Sequence, residues 1–207
     1  MREDPCVFEA APVFYFAAMS PYSWLAAERV EHELPQARWR PVTAAFVFKA
    51  AGRTSWGFTD QRAAGIADCE RRAAEHGLGP MSWPDPWPTN DLPIARAMTF
   101  ADARGELRPF ALGAMRMAFR EGRDLAELDV VLEAGERAGI APAELETAVG
   151  DAAVKDALRA VTDEAIGRGV FGIPTVLVGE QLFWGDDRLA DAAAAWRTVA
   201  AASRPVG

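Results

Sequence analysis

The sequence predicts an α/β fold, with a four-stranded mixed sheet assembled from both ends of the chain and an all-helical insert between them. Three observations carry this prediction. Near the N-terminus a short aromatic run, Val13-Phe14-Tyr15-Phe16, stops at a helix-start signal. From about residue 44 to 169 the chain shows helical periodicity and no convincing strand. Near the C-terminus, Pro174-Thr175-Val176-Leu177-Val178 and Gln181-Leu182-Phe183-Trp184 flank Gly179-Glu180 in a β-hairpin pattern.

The first run lies within 12–18, is bounded in front by Pro12 and is too short for a helix, so it reads as a buried strand. Ser20-Pro21 follows, with serine able to cap free backbone N–H groups and proline suited to the first helical position. Trp24, Leu25, Ala26, Ala27, Arg29 and Val30 carry that helix to about Glu33, and Leu34-Pro35 ends it. Residues 38–42 alternate as a second strand. Helices are predicted in the insert at 60–76, 92–104, 107–121, 124–138, 142–149 and 151–168, interrupted by the proline-rich segment 77–93. The last is the clearest, because Val154, Leu158, Val161 and Ala165 recur at helical spacing. A final helix is predicted over 187–201. The order βαβ, helical insert, ββα is the thioredoxin arrangement with a helical subdomain inserted at its middle. It divides the chain into a discontinuous thioredoxin-like domain, 10–44 plus 169–203, and a helical insertion subdomain, 45–168.

Composition narrows the partners. A formal net charge of -8 and a pI near 4.9 offer phosphate backbones few clustered cations, so nucleic acid is not expected as a partner. No apolar stretch approaches the roughly 20 residues of a membrane span. The opening MREDPCVFEAAP lacks the basic start and apolar run of a secretory signal, so a soluble, cytoplasmic protein without membrane partners is expected. Cys6 and Cys69 read as free thiols rather than a disulfide. His32 and His76 both fall in helical patterns and read as solvated helix-face residues, so no metal site is expected.

Chemistry is expected at the start of the helix after the first strand, where the helix dipole and free N–H groups stabilise an anion. That place is Ser20-Pro21-Tyr22-Ser23. Its spacing equals that of a C-x-x-C redox pair, yet both ends are serine, so dithiol-disulfide exchange there is ruled out. A hydroxyl can instead donate a hydrogen bond to a visiting thiolate and lower its pKa. Ser20 is the candidate for that role, and a plain helix cap is the alternative. Pro174 opens a strand expected beside the active-site helix. It reads either as a cis proline that turns the Ile173 backbone toward an extended ligand or as an ordinary edge-strand proline. Gly185-Asp186-Asp187 combines a glycine turn with an acidic helix start. Its N–H groups can bind a carboxylate and its aspartates an ammonium, and capping is again the simpler reading.

The run FYFAAMSPYSWLAAER resembles the N-terminal motif of the 2-hydroxychromene-2-carboxylate isomerases and kappa-class glutathione transferases. GVFGIPTVLVGEQLFWGDDRL resembles their C-terminal motif closely. Asp68-Cys69-Glu70-Arg71 and PMSWPDPWPTND are weaker matches between them. The resemblance implies a thioredoxin domain with a DsbA-like helical insertion, a homodimer, and glutathione binding without metal. It implies that Ser20 contacts and activates the glutathione sulfur, that the Ile173 backbone before cis Pro174 pairs with the cysteinyl unit, and that Asp186 with Asp187 holds the γ-glutamyl end.

This sequence also departs from the family. Ala17 stands where an aspartate is common, Arg53 near an asparagine, and Gln61 and Ala64 near a lysine and a tyrosine. The changes leave room for another low-molecular-weight thiol. Arg53 can supply a carboxylate-binding charge or be a solvated loop residue. Trp56, Phe58, Trp83 and Trp87 either wall an apolar pocket for a small aromatic substrate or simply pack. The leading function is a thiol-dependent isomerase of hydroxychromene carboxylates or related intermediates of aromatic-ring degradation. A kappa-like transferase, or a DsbA-like thiol- or peptide-binding protein without redox cysteines, is the alternative.

Overall fold

Four short strands, β1 (Val13–Phe16), β2 (Arg38–Pro41), β3 (Thr175–Val178) and β4 (Gln181–Trp184), form one sheet in the order β2-β1-β3-β4 in the computed structural model, which describes residues 11–202. Cys6 and the end positions 10 and 203 of the predicted sheet domain lie outside the described residues. β1 and β2 run parallel, with Val13 opposite Arg38 and Phe16 opposite Pro41. β1 and β3 are antiparallel, with Val13 opposite Leu177, and β3 and β4 form the predicted hairpin, with Val178 opposite Gln181.

Both faces of the sheet are covered, which is why β1 and β3 read as unbroken apolar runs instead of alternating ones. Successive side chains still point to opposite faces. Phe14, Phe16, Val176 and Val178 join Trp39 in the main core, while Tyr15, Ala17 and Leu177 join a second core with Val161, Ala165 and Val170. α1 (Pro21–Glu33) and α9 (Leu189–Ala202) supply the main core, and α8 (Ala152–Gly167) the second.

The insert contributes α2 (Ala44–Ala50), α3 (Arg62–Glu75), α4 (Leu92–Ala103), α5 (Leu107–Glu121), α6 (Leu128–Arg137) and α7 (Pro142–Gly150) ahead of α8. Its Ile94, Met98, Phe110 and Phe119 belong to the same core as β1, so sheet and insert are packed as one body. Trp24 of α1 is fully buried and stacks 5.9 Å from Phe119 of α5. Its Nε1 donates to Glu28 at 2.8 Å, and Glu28 accepts two hydrogen bonds from Arg116. The helix that carries the candidate site is thereby fixed to the insert.

Three elements differ from the sequence reading. α2 was not anticipated: seven residues are too few to be helical by propensity. It is held by the fully buried Val47 and by the Thr43 N–H before it, which donates to Thr162 Oγ1 at 3.2 Å. α6 starts at Leu128, not 124, because the Asp124 carboxylate accepts from the Ala126 N–H and the Thr89 hydroxyl and holds a turn instead. α9 starts at Leu189, preceded by a single 3-10 turn, Asp186–Arg188, whose first carboxylate is drawn inward to two arginines.

Candidate active site

The site forms where sheet and insert meet. The start of α1, α2 with the loop after it, Trp56, the segment 87–91, Ile173 and the turn after β4 line one cavity of about 810 Å³, within the roughly 300–1,000 Å³ of small-molecule sites.

Ser20 lines this cavity with an extended backbone (φ -95, ψ 116), and its Oγ accepts from the Ser23 N–H at 3.2 Å. It is therefore the α1 cap, but the cap uses only an oxygen lone pair. The hydroxyl proton has no acceptor among the described residues and is available to an anion in the cavity. Pro21 brings no N–H, the Tyr22 N–H makes no backbone hydrogen bond among the described residues, and the helix dipole adds its positive end. Ser23 behaves differently. It is 0% exposed, and its Oγ accepts from the Ala17 N–H at 3.4 Å. Of the two serines at redox spacing, one faces the cavity and the other the core.

A thiol activated here has to come from outside the described chain. Cys69 is buried, and burial foremost pushes its thiol up to about 12, so it stays protonated. Tyr22 is likewise raised, by burial first and then by Cys69 and Asp68, to which its hydroxyl donates at 2.9 Å.

Ile173-Pro174 is a cis peptide, as are Asp85-Pro86 and Trp87-Pro88, which the sequence reading did not anticipate. The β1–β3 pairing begins at Thr175, and neither the N–H nor the C=O of Ile173 is in a backbone hydrogen bond among the described residues. Both are available to an extended ligand.

Asp186 and Asp187 part company. Asp186 is 1% exposed and accepts from Arg72 Nη1 at 2.8 Å and Arg29 Nη2 at 3.4 Å. Burial pushes its carboxyl above the usual range, against the pull of Arg72 and Arg29. Arg72 is also bound by Asp68 at 2.8 Å and lies 3.7 Å from Asp187. Asp187, at 60% side-chain exposure, is the member open to a ligand. Gly185 precedes them at φ 113, a conformation that favours glycine, and no side chain caps the turn.

Arg53 lines the cavity with its guanidinium 4.3 Å from the ring centroid of Trp184 and 5.7 Å from that of Phe171. No carboxylate pairs with it among the described residues, nor with Lys49 of α2, which lines the same cavity. Trp56, Phe58 and Trp87 form its aromatic wall. A Cβ on Gly65 of α3 would overlap the Trp56 indole, so that glycine lets the ring lie flat on the helix. Trp83 is packing: it lies 5.8 Å from Phe119 and 4.9 Å from Trp87, and its Nε1 donates to Glu70 at 3.0 Å. Ala17 sits in the second core, and Gln61 and Ala64 are exposed away from the cavity, so among the family departures Arg53 is the one that bears on the site.

Sequence reasoning missed Lys49, Tyr22, Arg72 and Asp91 as cavity-lining residues. Arg72 follows Asp68 by one helical turn, a readable pairing signal, but its link to Asp186 spans 114 positions. Asp91 precedes Leu92-Pro93 like a helix cap, yet it makes no side-chain cap bond and is 9% exposed. Burial there pushes its carboxyl up to about 6 despite the backbone N–H groups of Ala44 and of Asp91 itself. Among the described residues, no group of three or more His, Cys, Asp or Glu is placed to hold a metal, and no helix is long and apolar enough to cross a membrane.

Comparison with known proteins agrees with this fold. The model of the DSBA-like thioredoxin domain matches residues 13–196. A 2-hydroxychromene-2-carboxylate isomerase of Sphingobium xenophagum is 27% identical over 185 residues, covering 85% of this chain and 92% of that one. Among solved structures, a selenomethionine 2-hydroxychromene-2-carboxylate isomerase superposes with a TM-score of 0.79 at 22% identity, over 92% of this chain and 96% of that one. The cytosolic disulfide reductase DsbM from Pseudomonas aeruginosa with GSH superposes with a TM-score of 0.64 at 15% identity, over 94% and 100%. These two structural likenesses establish the shared fold.

Proposed function

Because the chain belongs to the DSBA-like thioredoxin domain family, we propose that it is a thiol-dependent isomerase of bicyclic aromatic carboxylates of the 2-hydroxychromene-2-carboxylate kind, with glutathione as the first thiol to test. One observation carries the reading: the family's redox position holds Ser20, whose hydroxyl proton, without an acceptor among the described residues, faces an aromatic cavity edged by Lys49 and Arg53, which no carboxylate pairs among those residues. The name of the Sphingobium relative supplies the reaction class, and the GSH held by the DsbM neighbour supplies the thiol class.

The residues present fit such a thiol. Ser20 would donate to its sulfur, the Ile173 backbone before Pro174 would pair with its peptide unit, and Asp187 would take its ammonium. Asp186 would fix Arg72 behind them. When bound, the thiol supplies reversible addition to a conjugated double bond, which makes that bond rotatable until elimination restores it. Ser20 and the start of α1 hold the sulfur as an anion near neutrality. Trp56, Phe58 and Trp87 offer flat faces to the aromatic rings. Lys49 and Arg53 attract the carboxylate, Arg53 with its guanidinium held over the Trp184 ring.

The test is the absorbance change of a hydroxychromene carboxylate mixed with the protein, with and without glutathione. Conversion that requires added thiol is the expected result. Turnover of a halonitroarene without isomerisation would reassign the site to a transferase, and no thiol binding at all would reduce it to a binding protein.

A further inference from the structure

We propose that Asp91 is a catalytic residue, a carboxylate base that moves a proton between the two oxygens of a cyclic hemiketal substrate as its ring opens. This rests on the isomerase reading above. A 2-hydroxychromene carries a hydroxyl and the ring oxygen on the same carbon, so opening it to a ketone and a phenol requires one proton to leave the first oxygen and one to reach the second. Asp91 would accept the hydroxyl proton. The O–H electron pair becomes the carbonyl π bond, the ring C–O bond breaks with its pair on the phenolic oxygen, and the carboxylic acid returns the proton there. Atoms and charge balance, and the carboxylate is regenerated.

The choice of Asp91 follows from the other groups in the cavity. Lys49, Arg53 and Arg72 are cations without a lone pair to accept a proton. The Tyr22 hydroxyl is committed to Asp68 and Asp186 to two arginines, while Asp187 is largely exposed beside Arg72. Asp91 lines the cavity, is 9% exposed, and has no ion pair among the described residues, its carboxylate facing the backbone N–H groups of Ala44 and of Asp91 itself. Arg40 of β2, a strand packed against α4, pairs with Asp102 of α4 and with Glu164 of α8, and Asp124 is occupied by Thr89 and the Ala126 N–H. From α2, the backbone N–H of Ala44 faces Asp91, and no charged side chain acts on its titration. Burial therefore sets the carboxyl at about 6, near the operating pH that suits a general base.

The test is Asp91→Asn, assayed for thiol-dependent isomerisation across pH 5 to 8, with two readouts that need no turnover: the thiolate absorbance of bound glutathione, and a carboxyl-carbon NMR titration of the ligand-free protein. The parent is expected to gain rate as pH rises through about 6, because the base form acts. The variant is expected to lose about 100-fold or more of kcat together with the limb near 6, leaving only the limb set by ionisation of the bound thiol. Thiolate absorbance should be unchanged, and one carboxyl signal titrating near 6 should vanish. A variant within threefold of the parent, or one keeping the limb near 6, overturns the assignment, as does a combined loss of thiolate binding and rate, which marks a structural role. If the Asn variant does not fold, Asp91→Ser, whose hydroxyl is smaller and suited to a helix N-cap, is judged by the same criteria. A parent that isomerises nothing in the presence of thiol overturns the functional reading, and the Asp91 step falls with it. An active parent with an unaffected variant overturns the Asp91 step alone.

Discussion

Ser20→Ala is expected to lower kcat/KM of thiol-dependent turnover by about 100-fold, the scale of losing one donor to a developing or bound anion. Its effect on stability should be only about 1 kcal/mol, the usual contribution of a serine cap. Two functions of one oxygen are separated by this substitution. The lone pair that accepts from the Ser23 N–H belongs to the helix, whereas the proton belongs to the cavity. Urea unfolding reads the first and steady-state kinetics the second. Loss of both in proportion would make Ser20 a cap and nothing more. Ser23→Ala is the contrasting case, since its hydroxyl is buried against Ala17 and has no access to a ligand.

Trp87→Ala is expected to destabilise the protein by about 3–5 kcal/mol, as for other large-to-small aromatic replacements in cores. At roughly 2–4 °C per kcal/mol for a chain of this size, thermal unfolding should shift down by about 10 °C. Trp87 is 5% exposed and packs 4.9 Å from both Trp56 and Trp83. It also reaches from the insert to the active turn, because its Nε1 donates to the Met19 carbonyl at 3.0 Å, one residue before Ser20. Trp87→Phe keeps most of the ring but leaves that buried carbonyl without its donor, at an expected cost of about 1–3 kcal/mol. Calorimetry of the two variants divides the packing from the hydrogen bond. Equal unfolding temperatures for Trp87→Ala and the parent would show that the insert does not brace the turn.

Much of the fold was legible because short apolar runs and long amphipathic stretches have different periods. β1, the β3–β4 hairpin and helices such as α5, observed at Leu107–Glu121 where 107–121 was predicted, follow from that contrast. α2 was invisible because its helicity comes from Val47 packing and a bond to Thr162, partners far along the chain. The Ser20 position was legible from the helix-start signal and the C-x-x-C spacing. That its partner serine is buried, that Asp186 is locked by Arg29 and Arg72, and that Asp91 is buried in the cavity wall are tertiary facts no local pattern encodes. The same holds for Arg53, whose loop position was readable but whose stacking on Trp184 depends on the far end of the chain.

The central claim is that the start of α1 with the Ser20 hydroxyl stabilises a bound thiolate. Spectrophotometric titration of glutathione bound to the parent and to Ser20→Ala tests it directly. The account predicts that the bound thiol ionises about one to two pH units below the roughly 8.5 of a free thiol in the parent, and that most of this shift disappears in the variant. Identical titration of bound and free thiol in the parent would contradict it.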